Sequence, residues 1–278
     1  MKISRLIPKP LLFRVLFLVN FLDVLKGNNY KLNTFFPLLT AHNIRKKGFV
    51  LSNYGVWMLD NQSDKTFRLS ILGYRNKLER YLKSINRPFV FWDIGSNQGV
   101  FSLVANKNPY CKNIICFEPN IDLIFYLTSN LVFGRVKNYQ IHNYAISNKV
   151  GKIEFFIPNN HTGAATMHSN QKSNIVFESV DRSYLNKINT KEDDIFLKLD
   201  VEGAELLVLI EIFESIMSKN IKYIFIEINQ NFNNSKIIRS ILSKNNFVEV
   251  DRKGSLDSCD AFFEKRPNQN IRFTANLT

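Results

Sequence analysis

From Pro88 onward, short apolar runs alternate with longer stretches of helical spacing, and this alternation restricts the fold more than any other feature. The strand candidates are 89–94, 113–118, 138–144, 195–200, 222–228, 246–250 and 260–264. The helix candidates are 99–107, 121–133, 203–218 and 234–244. Strands separated by helices predict a parallel sheet with right-handed crossovers. The last two strands are joined by DRKGSLDSC, which holds a turn signal and no helix. They are therefore expected to form an antiparallel hairpin at the sheet edge. Residues 151–180 read as an insertion, with KIEFFIP and NIVFESV as strand-like pieces around a Gly/His/Thr-rich loop.

Upstream the pattern changes. Residues 1–45 read as mainly helical, VLSNYGVWML and TFRLSIL as short strands of a hairpin or small lid, and Leu78 to Ile85 as a helix. The chain divides on this reading into an appendage, 1–85, and a main domain, 86–278. Charge is unevenly placed: residues 1–50 carry nine basic side chains against Asp23 alone, so most of the net charge of +13 is N-terminal. The same region contains PLLFRVLFLVNFLDVLK, Pro10 to Lys26, broken by Arg14, Asn20 and Asp23. That is short of the roughly 20 apolar residues a spanning helix needs. Two readings stand beside each other, a helix lying on an anionic membrane surface through residues 1–30 and a core-packing helix with a solvated basic face. The three cysteines, Cys111, Cys116 and Cys259, form no CxxC or Cys/His pattern, which suits reduced core thiols and a cytoplasmic setting and points to no metal.

In an open parallel sheet, ligands bind beyond the carboxyl ends of the strands, so the residues following each strand carry the chemistry. After the first comes Asp93-Ile-Gly95-Ser96-Asn97-Gln-Gly99. A dinucleotide fingerprint, GxGxxG, has its second glycine where Asn97 stands and its third where Val100 stands, so it fails twice. A Walker loop fails as well. After the second strand comes Glu118-Pro119-Asn120, with an acid 25 residues beyond Asp93, suitably spaced to accept hydrogen bonds from ribose hydroxyls. A ribose without a pyrophosphate suggests S-adenosylmethionine (SAM), with Asp93 facing the ammonium group or ordering water beside it. The competing reading is an ordinary βα turn with Ser96 or Asn97 as the helix N-cap. After the fourth strand comes Lys198-Leu-Asp200-Val-Glu202-Gly203-Ala-Glu205, and after the fifth, Glu227-Ile-Asn229. Acids converging in a basic protein suit a cationic sulfonium. Dipole complementation at a helix N-terminus is the simpler account of the acids after the fourth strand.

DIGSNQGVFS, FEPN, KLDVEGAE and IEIN, in this order and spacing, resemble the FkbM family of SAM-dependent methyltransferases, whose usual pattern is D-x-G-A-N-x-G, FEP and K-x-D-x-EG-x-E. The resemblance covers roughly residues 70–265, and Ser-Val-Asp181-Arg-Ser-Tyr-Leu also looks like a family segment. Ser96 stands where alanine is usual, and Leu209-Ile-Glu211 stands where Leu-x-Gly is common. The resemblance implies the class I, Rossmann-like methyltransferase fold with a seven-stranded sheet, and typically O-methylation of a sugar or secondary-metabolite hydroxyl. The cofactor contacts are then expected at Asp93, Gly95, Ser96, Asn97, Gly99, Glu118, Pro119, Asn120, Asp200 and Ala145, which lies just past the third strand.

Methyl transfer needs aligned reactants, and an alcohol acceptor also needs its proton removed. The candidate bases are Asp200, Glu202 and His161, the last in the insertion loop PNNHTGAATMH. Nucleic-acid methylation is the rival suggested by the charge. Against it, Asn108-Pro109-Tyr110 falls one proline short of [DN]PP[YFW] and precedes the second strand, and Pro109-Tyr110-Cys111 supplies no Pro-Cys nucleophile. A non-catalytic membrane scaffold would have no need of the retained acids.

Overall fold

The computed structural model describes residues 45–266 apart from 47, 62, 74, 160, 163–172, 189–192, 230 and 232–234. The helix expected within 1–45 and His168 lie outside the described residues. In chain order, the first elements are β1 (Arg45–Lys46), β2 (Phe49–Leu51), β3 (Trp57–Leu59), α1 (Lys65–Ile71) and α2 (Asn76–Ser84). Then come β4 (Phe89–Ile94), α3 (Val100–Asn106), β5 (Cys111–Phe117), α4 (Ile121–Phe133) and β6 (Tyr139–His142). The insertion supplies β7 (Ala145–Ile146), β8 (Gly151–Phe155), β9 (Ile175–Val180) and the short α5 (Arg182–Leu185). The chain continues through β10 (Asp194–Leu199), α6 (Glu205–Phe213), a 3₁₀ turn at Ile216–Asn220, β11 (Ile221–Asn229), α7 (Ser235–Lys244), β12 (Phe247–Gly254) and β13 (Ser258–Lys265).

The main sheet has seven strands in the order β12-β13-β11-β10-β4-β5-β6. Its inner pairs, β11–β10, β10–β4, β4–β5 and β5–β6, are parallel, while β13 runs antiparallel to both β11 and β12. This is the class I methyltransferase arrangement. The terminal hairpin forms as expected, but its second strand inserts between β11 and β12, so only β13 is reversed. Every residue of β4 is buried, as expected for a strand covered on both faces. Alternation along β4 and β10 sends Val90, Trp92, Leu197 and Leu199 into one apolar cluster, and Phe89, Phe91 and Phe196 into the other.

The second cluster is completed by residues upstream of the sheet. Val50, Met58, Phe67, Ile71, Leu78 and Leu82 pack with Phe91, Phe196 and Phe225. The strand expected at TFRLSIL is instead α1. Asp64 accepts from the Thr66 N–H as its N-cap, and the buried residues Phe67, Ser70 and Ile71 follow helical spacing. Leu69, which a two-residue period would bury with Phe67 and Ile71, is half exposed. Among the described residues, no helix is long and apolar enough to cross a membrane.

The strand order reverses between β4 and β10: β5 and β6 lie to one side and β11 to the other. The carboxyl ends of these strands open a crevice there. It is roofed by the small sheet β7-β9-β8 and by α1.

Candidate active site

Three strand ends meet at this crevice. Gly95 and Ser96 both donate their backbone N–H to Phe117 O at 3.0 Å, and the Asp200 N–H donates to Ile94 O at 3.2 Å. The first turn is built on positive φ: Gly95 at 75°, Asn97 at 49° and Gly99 at 79°. At Gly95 a Cβ would lie 1.9 Å from the Asp200 carbonyl oxygen, so no side chain fits between the ends of β4 and β10. Gly99, with no side-chain cap, begins α3, so neither Ser96 nor Asn97 is its N-cap. Ser96 uses its hydroxyl to donate to Phe117 O at 3.3 Å, which gives the departure from alanine a structural role.

The cavity beyond these ends is lined by Gly95, Ser96, Asn97, Glu118, Pro119, Asn120, Ala145, Asp200 and Glu202 of the sequence-derived set. It is walled by apolar groups, including Ile146, Phe155, Phe177 and Val208. Glu118 is buried and accepts from the backbone N–H groups of Asn97 at 2.7 Å and Asn120 at 2.9 Å. Burial outweighs these bonds and pushes its carboxyl up to about 7. Each of its oxygens keeps a further lone pair for a ligand donor.

Asp93, Gly99 and His161 do not line the cavity. Asp93 is turned to a local partner instead: with its side chain 1% exposed, it ion-pairs with Lys198 Nζ at 2.9 Å. The Ser102 hydroxyl also donates to it at 2.6 Å. Lys198, 2% exposed, also donates to Gly95 O at 2.9 Å and lies 3.7 Å from Asp200. This one ammonium therefore braces the Gly95 turn against two acids on neighbouring strands. His161 anchors its loop through its N–H to Pro158 O. Its neighbour Thr162 reaches the cavity, donating to Asp64 Oδ2 at 2.7 Å and accepting from Asn97 Nδ2 at 3.3 Å.

The turn after β10 is shaped by its last acid. Buried Glu205 accepts from the N–H groups of Val201 and Gly203, each at 3.0 Å. That pins Glu202 in a left-handed conformation, φ 52°, which a non-glycine residue adopts at a cost. Glu211, where the family commonly has glycine, is buried and accepts from the Arg182 N–H at 3.0 Å, so it satisfies the first N–H of α5, whose N-cap is Asp181.

Carboxylate oxygens of Asp200, Glu202 and Glu227 lie within 4.8 Å of one another. Arg75, from the turn between α1 and α2, enters this cluster. It donates to Asp200 and to Glu227, the latter at 2.6 Å, and its Nε lies 3.5 Å from Asp260. Burial opposes charge on Asp200, but Arg75 and Lys198 overcome it and hold the carboxyl well below the usual range. Burial and then the Asp200 charge push Glu202 up to about 8 and Glu227 up to about 9. One ionised carboxylate thus sits beside two that hold their protons near neutrality.

Residues 93–249, more than half of the chain, match the methyltransferase FkbM domain. The chain belongs to that family. FkbM methyltransferases take their methyl group from SAM, and the acid-lined cavity with a phosphate-free turn fits such a cation. The chain is similar to several solved structures. Magnesium protoporphyrin IX methyltransferase (ChlM) from Synechocystis PCC 6803, with bound SAM, is 8% identical over 88% of this chain and 97% of its own, with a TM-score of 0.45. M. jannaschii TYW2 in complex with AdoMet is 13% identical over 80% and 89%, at 0.43. M. capricolum TrmK with S-adenosylhomocysteine is 14% identical over 68% and 68%, at 0.42. No curated protein sequence matches the chain.

The motifs and the family match both leave out Asp64, Thr66, Ser70 and Arg75. Thr66 and Ser70 line the cavity from one face of α1. Asp64 gathers Thr66, Thr162 and Gln98. An N-cap signature, Asp64-Lys-Thr66 before an apolar stretch, was available for the helix. No sequence signal marked Arg75.

Proposed function

We propose that this FkbM methyltransferase transfers the methyl group of SAM to a hydroxyl of a sugar, in a cell-surface glycan or lipid-linked saccharide. The observation that carries the reading is the carboxyl group of Glu202. It lines the cavity, is held by a strained turn and holds its proton up to about pH 8. A base poised near the working pH is the group an alcohol acceptor requires.

When bound, SAM supplies an electrophilic methyl group on a positively charged sulfur. Glu118, with spare lone pairs on both oxygens, takes the ribose hydroxyls. The turn Gly95-Ser96-Asn97 and the ionised Asp200 receive the amino-acid end. Glu202 accepts the acceptor hydroxyl's proton as the new C–O bond forms. Ile146, Phe155 and Phe177 exclude water from the site, and alignment of the reactants contributes most of the acceleration. Carboxylates and the hydroxyls of Thr66 and Ser70 along the cavity wall match a polyol better than an anionic substrate. The basic, apolar segment within residues 1–30 brings the enzyme to an anionic membrane surface, at its cytoplasmic face, where lipid-linked acceptors lie.

Incubation with methyl-labelled SAM and a panel of cell-envelope saccharides tests this, with vesicle-held lipid-linked sugars included. The expected product is a base-stable methyl ether on a sugar. Label in a base-labile ester, an amine or a nucleobase would overturn the assignment. Removing residues 1–30 is expected to spare transfer to soluble sugars and to lower transfer to vesicle-held ones; equal transfer to both would remove the membrane role.

A further inference from the structure

Arg75 lies outside residues 93–249 and outside every motif, yet it reaches three acids at the site where Lys198 reaches two. Its side chain is 6% exposed. Its guanidinium reaches acids on three elements: Asp200 beyond β10, Glu227 on β11 and Asp260 on β13. Glu227 and Asp260 are register partners across the β11–β13 pair, so Arg75 bridges two acids that face each other on adjoining strands. Burial raises both carboxyls and the guanidinium opposes that rise, so the pair is held by Arg75 without the repulsion of two ionised acids.

The arginine itself is held from behind. Its backbone N–H donates to the Tyr54 hydroxyl at 2.8 Å, and its guanidinium carbon lies 5.4 Å from the centre of the Phe225 ring. Tyr54 packs in turn against Phe101 of α3. The guanidinium is thus placed by Tyr54 and Phe225, while the acids it meets come from three adjoining interior strands of the sheet.

We propose that Arg75 is a positioning residue for methyl transfer: by engaging Asp200, Glu227 and Asp260 together, it leaves Glu202 as the cavity carboxyl free to take the acceptor proton. The proposal rests on the hydroxyl-acceptor reading for its last step, but the charge arrangement it describes does not. Other charged groups face this cluster too. Lys198 lies 3.7 Å from Asp200, Glu205 and Asp200 act on Glu202, Glu79 acts on Tyr54, and Lys253 acts on Asp260. Among the described residues, Arg75 alone is a leading influence lowering Asp200, Glu202, Glu227 and Asp260 alike. Its removal therefore shifts all four upward, whereas loss of any other cation moves fewer.

The test is carbon-13 NMR titration of the full chain labelled at Asp and Glu carboxyls, with Glu202→Gln and Glu227→Gln assigning the signals. Arg75→Gln is expected to raise the titration midpoints of both Glu202 and Glu227 by one unit or more. A one-unit rise lowers the ionised fraction of Glu202 near pH 7 about tenfold. Arg75→Lys, which keeps the charge but not the three-way reach, is expected to give smaller shifts, and it supplies the measurement if Arg75→Gln does not fold. Unmoved Glu202 and Glu227 midpoints in a folded variant would overturn the proposal. If the midpoints move while the labelled methyl never reaches a hydroxyl, the acceptor reading fails and the charge arrangement stands.

Discussion

Replacing Glu202 by Gln is expected to lower kcat for methyl transfer by about 10²–10⁴-fold, the contribution of a positioned proton acceptor, while SAM still binds. Glutamine has the shape of the protonated side chain, the form that prevails in the resting enzyme near neutrality. Binding therefore changes little and the loss falls on the chemical step. The wild-type rate is expected to rise with pH toward a plateau above about 8, because the base must first lose its own proton. The variant's residual rate lacks that rise. Asp200 is the useful contrast. Arg75 and Lys198 keep it ionised, so it is a weak proton acceptor and a strong electrostatic partner for a cation. Unimpaired turnover in Glu202→Gln would remove Glu202 from the mechanism.

The second large effect concerns the fold beneath the site. Lys198→Met is expected to cost about 3–5 kcal/mol, since removing one member of a buried pair strands the other charge. Asp93, with no exposed surface, would keep only the Ser102 hydroxyl as a partner. The ammonium holding Gly95 O would go too, loosening the turn that borders the cavity. The pH dependence separates this from simple loss of packing. Burial lowers the Lys198 ammonium, but Asp93 and Asp200 more than compensate and raise it above its usual value. A raised lysine contributes stability that is complete below its unfolded value, about 10.4, and is lost as pH climbs through the folded one. The contribution of Lys198 is therefore insensitive to pH between about 5 and 9. In the variant, stability is expected to fall across that range, because the stranded carboxyl stays buried only by binding a proton. Glu118, Glu202 and Glu227, with raised carboxyls, lower the stability of both proteins across this range. Denaturant midpoints of wild type and variant at pH 5 and 8 therefore measure the variant's additional fall, and an equal fall in the two would contradict it.

The main sheet was readable because its central strands are continuous apolar runs of strand length separated by helices of ordinary length. The site turns were readable because glycines and acids sit where the strands end. TFRLSIL misled because Phe67, Leu69 and Ile71 alternate, while the helix that forms buries Phe67, Ser70 and Ile71. A seven-residue window does not separate the two periods, and the capping Asp64 does. Asp93 was legible as an acid at the right place but not as an ion-pair partner, since its pairing depends on Lys198 from the neighbouring strand. Arg75 was invisible for a stronger reason: two of its partners lie 125 and 152 residues away, and nothing local distinguishes it from the other basic residues. Arg75, with Lys198, is what separates Asp200 from Glu202, whereas His161 lies off the cavity wall.

Calorimetry of SAM binding between pH 6 and pH 8 tests most directly whether this cavity holds the methyl donor through Glu118. With the carboxyl pushed up to about 7, only its ionised form accepts from both ribose hydroxyls. Affinity is expected to increase about tenfold across that interval, as the ionised fraction grows from about one tenth to nine tenths. Glu118→Gln is expected to bind weakly at both pH values and to lose the dependence. Equal affinity at pH 6 and 8 in the wild-type protein, or no binding by the folded chain, would contradict the account.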